Sequence, residues 1–336
     1  MQVVVGQNFS ILGSGSYLPS ARLTSEDLDA RCGMKPGWCR RHVGVELRYE
    51  CLPPETMISM GCEAIRRALD DACLQWHDVD AIIDCSTSQF RPVPCNAAHY
   101  QQLIGRSASG IPCFDIHSTC LGALVALHMI NGLIHHSAYK HIVVVASESG
   151  LGGVNYAERE SACLIGDGAA ALVLGRASNK GNIGFAHQTF AEHIDLCRVE
   201  GGGHKLPVFQ FEEKRAAEFQ FTMDGRGIFR IAIENLKPMV IDLLRNWSND
   251  NPRTVEKMHI VPHQASPRAL QAVQKTFSWS DDFFHQEVHR VGNMVAASIP
   301  YMLDRVRKDG LVTAGEKVLA LGTSAGYSQA ALIFEM

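Results

Sequence analysis

Lys140-His-Ile-Val-Val-Val-Ala-Ser-Glu-Ser149 is a continuous apolar run closed by polar residues, the pattern of a strand buried on both faces. Late in the chain Glu316-Lys-Val-Leu-Ala-Leu-Gly-Thr-Ser-Ala325 repeats it. Each run follows a long apolar helix, Cys120 to Ile134 in the first case and Met294 to Lys308 in the second. Each is followed by another apolar strand, Ala169–Leu174 and Ala330–Phe334. Upstream, the strand Ala81-Ile-Ile-Asp-Cys-Ser-Thr87 precedes the helix Asn96–Ile104, as Met258-His-Ile-Val precedes Pro267–Thr276. Apolar residues at helical spacing mark a further helix over Met57–Leu74. The order implies an α/β unit present twice, with sheets covered on both faces and corresponding loops brought to a shared centre. The halves are expected to be 1–176 and 177–336, joined near Arg176–Asn182. Residues 185–225 break the pattern and read as an insertion or lid. Cys120 and Asn293 are expected to be counterparts, each where a loop meets the long helix.

The chain has 336 residues, 46% hydrophobic and 20% charged, ample for a large core. A net charge of −4 gives no support to a nucleic-acid surface. No apolar run reaches the length of a membrane span, and the N-terminus lacks a signal-peptide design, so a cytoplasmic protein is expected. Eleven cysteines, odd in number and without a Cys-x-x-Cys pair, argue against a disulfide framework and against zinc. No metal is expected from the fifteen histidines either.

Among those cysteines, Cys120 stands where Asp115-Ile-His-Ser-Thr gives way to an apolar helix. The first turn of a helix offers free N–H groups and a positive dipole end, which favour a nucleophilic thiolate. Pro262-His263-Gln264-Ala265 and Gly292-Asn293, with Ala296-Ala-Ser-Ile-Pro300 after it, supply candidate partners.

Together with Gly166-Asp167-Gly168-Ala-Ala-Ala-Leu, these motifs occur in an order that resembles the thiolase-fold condensing enzymes, and most closely β-ketoacyl-acyl-carrier-protein synthase III. The likeness covers nearly the whole chain. It implies a five-layered αβαβα sandwich and usually a homodimer. It implies decarboxylative Claisen condensation of an acyl thioester, acyl-coenzyme A or acyl carrier protein, with malonyl carrier protein, in fatty-acid or related biosynthesis. No cofactor beyond these thioester substrates is implied. Cys120 would carry the acyl group, while His263 and Asn293 would stabilise the enolate formed when CO2 leaves. Backbone N–H groups of Cys120 and Ala325 would form the oxyanion hole of acyl transfer. Trp38 and Arg159 match the pair that sandwiches the coenzyme A adenine, and Arg226 and Arg230 border the pantetheine tunnel. Arg268 and Lys275, seven apart on one helix face, match the carrier-protein docking positions.

Departures from the family pattern concern specificity. His42-Val43-Gly44-Val45 replaces the family's Arg-Thr-Gly-Ile, with Arg40 and Arg41 displaced upstream. Leu121 is bulkier than usual, and Val93 stands where short-acyl members place a large aromatic, which implies a longer or differently shaped acyl group. The stretch Asp84–Pro94 contains no Glu, disfavouring 3-hydroxy-3-methylglutaryl-coenzyme A synthases and head-to-head condensing relatives. No Cys follows Cys197, disfavouring thiolases proper. Gly322-Thr-Ser324-Ala-Gly326 imitates a serine-hydrolase elbow, but no His follows it. Gly13-Ser-Gly15 opens like a dinucleotide loop yet lacks its third Gly. The remaining alternative is a relative that passes the acyl group to an amine, an alcohol or an unusual β-keto or diacid thioester without decarboxylation.

Overall fold

The structure is a computed structural model describing residues 3–136, 139–177, 182–248 and 257–336. Residues 178–181 of the expected junction lie outside the described residues. In chain order, β1 (Val3–Gln7), β2 (Phe9–Tyr17) and β3 (Ala21–Thr24) precede α1 (Ser25–Arg31) and α2 (Trp38–His42). Then come β4 (Leu47–Glu50), α3 (Met57–Ala72), β5 (Ala81–Asp84), α4 (Asn96–Ile104) and β6 (Cys113–Asp115). The centre holds α5 (Gly122–His136), β7 (His141–Glu148), α6 (Arg159–Ala162), β8 (Gly168–Arg176) and β9 (Asn182–Thr189). β10 (Cys197–Arg198) and β11 (Thr222–Met223) form a small ribbon before α7 (Gly225–Ser248). β12 (Met258–Pro262), α8 (Pro267–Phe277), α9 (Val288–Val291), α10 (Ser298–Lys308), β13 (Lys317–Ser324) and β14 (Ser328–Glu335) complete the chain.

Two five-stranded sheets form, ordered β2-β8-β7-β5-β6 and β1-β9-β14-β13-β12. In both, a parallel pair (β5 with β7, β12 with β13) continues into an antiparallel pair (β7 with β8, β13 with β14). That shared order is the duplication expected from the sequence. Helices α5 and α10 touch each other and lie between the sheets. Helix α3 covers the outer face of the first sheet, and α7 that of the second. The result is five layers, αβαβα. Leu124, Leu127, Ile130 and Ile134 of α5 are buried in the central core, each stabilising the fold by about 1.5–3 kcal/mol.

Several expectations need correction. Strand β1 falls within the expected first half, 1–176, yet pairs antiparallel with β9 of the second sheet. Residues 185–189 are core strand rather than lid, because β9 pairs with both β1 and β14. Only the stretch after it, with its short helical turns, fits an inserted loop. By length and composition Thr119–His136 could cross a membrane, contrary to the sequence reading; it is the middle-layer helix instead. Gly13 and Gly15 serve packing: a Cβ there would lie 2.2 and 2.4 Å from backbone oxygens of α3.

Candidate active site

Cys120 lies in a one-turn 3-10 helix, Thr119–Leu121, directly ahead of α5. The second half carries the same device, Val295–Ala297 ahead of α10, and the two turns pack together. Thr119 and Val295 both take φ 46°, a left-handed conformation uncommon for such residues. Matching these two residues makes Ala296, not Asn293, the counterpart of Cys120. Asn293 corresponds instead to His117, three residues earlier. The duplication places Cys120 and Asn293 near one centre without making them equivalent.

His263 follows the end of β12, and its backbone N–H donates to Leu321 O at 2.7 Å, which seats it beside β13. Gln264, fully buried, fixes the loop: its Nε2 donates to Pro262 O (2.8 Å), and its Oε1 accepts from the N–H groups of Glu287 and Val288. The segment 285–293 is thereby tied to the His263 loop. Asn293 Nδ2 donates to Ala265 O at 3.2 Å, and its Oδ1 accepts from Val295 N at 2.9 Å. The glycine motif joins in: Gly166 N–H donates to Asn293 O, and Asn293 N–H to Leu164 O. Gly322 leaves room between His263 and Leu121, since a Cβ there would lie 2.6 Å from His263 Cβ and 3.4 Å from Leu121 Cδ2.

The electrostatics differ from the expected thiolate. Cys120 keeps partial solvent contact, yet enough protein surrounds it that burial pushes its thiol up to about 12. The Glu148 carboxylate adds to that rise. The backbone N–H groups of Cys120 and Ala325 both bear on the sulphur and pull the other way, but do not win. These are the two N–H groups expected to form an oxyanion hole. His263 is neutral, burial holding its imidazole down to about 4, and its Nδ1 has no partner among the described residues. At neutral pH Cys120 is a thiol and His263 a neutral imidazole, not an ion pair.

Glu148 is the residue that sequence reasoning missed. It is fully buried at the end of β7 and accepts from Thr87 N (2.7 Å), Ser88 N (3.0 Å), Ser88 Oγ (2.7 Å) and Ala296 N. One carboxylate therefore ties the Asp84–Pro94 loop to the turn ahead of α10. The available signal was a carboxylate between two serines at the end of an apolar strand. Asp84, the acid left in that loop, is turned inward: Ser86, Asn96 Nδ2 and Tyr100 Oη donate to it, and burial raises it to about 7.

The outlying candidates are surface residues. Arg159, Arg226, Arg230, Arg268 and Lys275 are exposed and form no salt bridge among the described residues. Trp38 is partly buried with its ring stacked on His42, centroids 4.7 Å apart. Leu121 is fully buried next to Cys120 in the chain, whereas Val93 is 81% exposed on its loop.

A five-layered sandwich of two like halves, with a cysteine turn and a His–Asn pair at its midline, is the architecture of the thiolase-fold condensing enzymes. Residues 114–191 match the family described as 3-oxoacyl-[acyl-carrier-protein] synthase III, and residues 252–336 match its C-terminal region. The chain is 30% identical over 330 residues to the β-ketoacyl-[acyl-carrier-protein] synthase III of Neisseria gonorrhoeae, covering 98% of this chain and 99% of that one. It is 31% identical over 326 residues to the same-named protein of Vesicomyosocius okutanii, covering 97% and 98%. The crystal structure of 3-oxoacyl-[acyl-carrier-protein] synthase III from Aquifex aeolicus superposes with a TM-score of 0.86 at 25% identity, covering 98% of this chain and all of that one. The chain belongs to the β-ketoacyl-[acyl-carrier-protein] synthase III family.

Proposed function

We propose that the chain catalyses decarboxylative condensation of an acyl thioester with malonyl carrier protein in fatty-acid or related biosynthesis, as an enzyme of the acyltransferase class. The observation that carries this reading is that the Cys120 turn packs against the Val295–Ala297 turn held by Asn293, with His263 and Leu121 on either side of Gly322, while the N–H groups of Cys120 and Ala325 pull the Cys120 thiol down. Cys120 sulphur attacks the acyl carbonyl; the two N–H groups hold the oxyanion, and the departing thiolate takes the Cys120 proton. The acyl group is then bonded to Cys120.

The malonyl thioester follows. One N–H of Asn293 Nδ2 is engaged by Ala265, leaving the second for the thioester oxygen, and neutral His263 has one N–H to offer. Loss of CO2 leaves its bonding pair on the adjacent carbon as an enolate, whose oxygen these donors stabilise. That carbon attacks the acyl carbonyl, the new C–C bond forms, and Cys120 leaves as a thiolate that takes up a solvent proton, restoring the starting thiol. Every charge is held by groups of this chain, and beyond the thioesters the steps consume one solvent proton. Trp38, Arg159, Arg226 and Arg230 are assigned to coenzyme A, and Arg268 and Lys275 to the carrier protein. A cytoplasmic homodimer fits the reading, and Val93, exposed in one protomer, would reach an acyl pocket only across such a dimer.

The test is a panel of acyl-coenzyme A thioesters with the acyl mass sought on Cys120, then malonyl carrier protein with CO2 measured. Acyl mass followed by CO2 is the expected outcome. Acylation without CO2 would transfer the chain to the non-decarboxylating acyltransferases, and no acylation would end the reading.

A further inference from the structure

Three sulphur atoms meet where α1, α2 and α6 converge, and Cys120 is not among them. Cys39 of α2 and Cys163, the C-cap of α6, are joined as a disulfide across 124 residues of sequence, and both are fully buried. This corrects the expectation of no disulfide. Cys32, the C-cap of α1, is partly exposed, and its Sγ lies 3.9 Å from Cys163 Sγ.

The surroundings suit thiol chemistry. Arg48 is fully buried with no carboxylate partner among the described residues; it donates to the carbonyl oxygens of Cys163 and Val45, and its Nε has no acceptor. Burial raises the Cys32 thiol and Asp29 adds to the rise, while Arg48 and Arg159 both oppose it. The two cations offset part of that rise, and partial exposure leaves Cys32 open to a reductant in a way the buried Cys39 and Cys163 are not. In a reducing compartment a disulfide is more often transient than structural.

We propose that Cys32, Cys39 and Cys163 form a thiol–disulfide exchange site, with Cys32 the entry point for a dithiol reductant and the redox state setting how firmly α2 is held to α6. Cys32 loses its proton and its thiolate attacks Cys163 Sγ. The Cys32–Cys163 bond forms as the Cys39–Cys163 bond breaks, and the electron pair leaves on Cys39, which takes up a proton. An external dithiol then attacks Cys32 Sγ and releases Cys163, which is protonated. Its second sulphur displaces Cys32 as the dithiol closes on itself. The protein gains two electrons and two protons, and the dithiol loses the same. An oxidised dithiol reverses each step.

The consequence follows from what else holds α2. The Asp29 carboxylate accepts from the N–H groups of Gly37, Trp38 and Cys39, tying α2 to α1 whatever the redox state. The disulfide alone adds a covalent tie to α6. Cys39 adjoins Trp38, and α6 begins at Arg159, so the bond fixes the spacing of the two side chains assigned to the adenine. Reduction loosens that spacing without unfolding α2. This last part rests on the coenzyme A reading; the exchange chemistry does not.

The full chain, purified without reductant, is exposed to dithiothreitol, sampled by alkylation and read by peptide mass. The wild type is expected to lose the Cys39–Cys163 bond about tenfold faster than Cys32→Ser, through a transient Cys32–Cys163 peptide. Equal rates would overturn the relay. Free Cys39 and Cys163 after treatment with oxidised dithiothreitol would overturn the site. In the acylation assay the oxidised form is expected to show a several-fold lower KM for acyl-coenzyme A with unchanged kcat, and Cys163→Ser, which can form neither bond, no redox response. Equal KM values would overturn the control of α2. A chain that takes no acyl group fails the functional reading, while the peptide masses still decide the exchange.

Discussion

The backbone N–H of Gly166 donates to the carbonyl oxygen of Asn293 across 3.0 Å, so the glycine motif of one half holds the asparagine of the other. A Cβ at 166 would lie 2.3 Å from Val291 O and 3.2 Å from Arg48 Cβ. Gly166→Ala is therefore expected to force the Val291–Asn293 segment outward and cost about 1–3 kcal/mol. Denaturant titration measures the loss. Condensation should fall more than Cys120 acylation, because the displaced segment carries Asn293 and not Cys120.

Asn293→Ala separates the half-reactions directly. Its Nδ2 serves the enolate in the proposed cycle, whereas acyl transfer relies on the N–H groups of Cys120 and Ala325. Acyl mass on Cys120 should persist, and CO2 release should drop by roughly 10²–10³-fold. Equal loss of both would contradict the assigned roles.

These expectations mark how far the sequence reached. The repeated helix–strand pattern at 120–149 and 294–325 depends on local hydrophobic periodicity, and it identified the duplication. Strand β9 escaped because His187 and Gln188 interrupt its apolar run, and because its burial comes from pairing with β1 and β14. The Cys39–Cys163 bond joins residues 124 apart, a distance over which spacing carries no information. The neutral state of Cys120 was also hidden. Helix position argued for a thiolate, but desolvation from residues distant in sequence outweighs two N–H groups.

Acid stability reports on His263. Its imidazole is lowered to about 4 in the folded chain, against an ordinary value near 6.5. Above pH 6.5 it is neutral in both states and has no effect. As pH falls from 6.5 towards 4 the unfolded chain binds the proton first, so stability is progressively lost, by up to about 3 kcal/mol. His263→Asn, which does not titrate, is expected to make the pH slope of stability, measured by urea denaturation, shallower over that window, with His285, also held down to about 4 by burial, keeping part of it. An unchanged pH slope would show that the buried imidazole is not held neutral.

Alkylation of Cys120 tests the opposite shift. With the thiol raised to about 12, reaction with iodoacetamide should still rise nearly tenfold per pH unit up to pH 10, where an ordinary thiol of pKa about 8.5 is levelling off. Peptide mass at Cys120 across pH 7–10 gives the profile. A plateau below pH 8 would mean that the N–H groups outweigh burial.

Glu148→Gln should move stability and reactivity in opposing directions. The carboxylate accepts from four donors, three of them backbone N–H groups on two different segments. A Gln amide has one oxygen and one NH2, and an NH2 facing Thr87 N–H or Ser88 N–H leaves buried donors unpaired. The expected cost is about 1–3 kcal/mol, read by denaturant titration. The same change removes the negative charge that raises the Cys120 thiol. Iodoacetamide should therefore label Cys120 faster in Glu148→Gln than in the wild type at any pH between 8 and 10. General loosening of the site would also raise labelling, but then Cys85, buried in the same core, would become reactive as well. Faster labelling confined to Cys120 isolates the electrostatic effect, and slower labelling would show that Glu148 acts on the nucleophile only through the shape of the loop it ties.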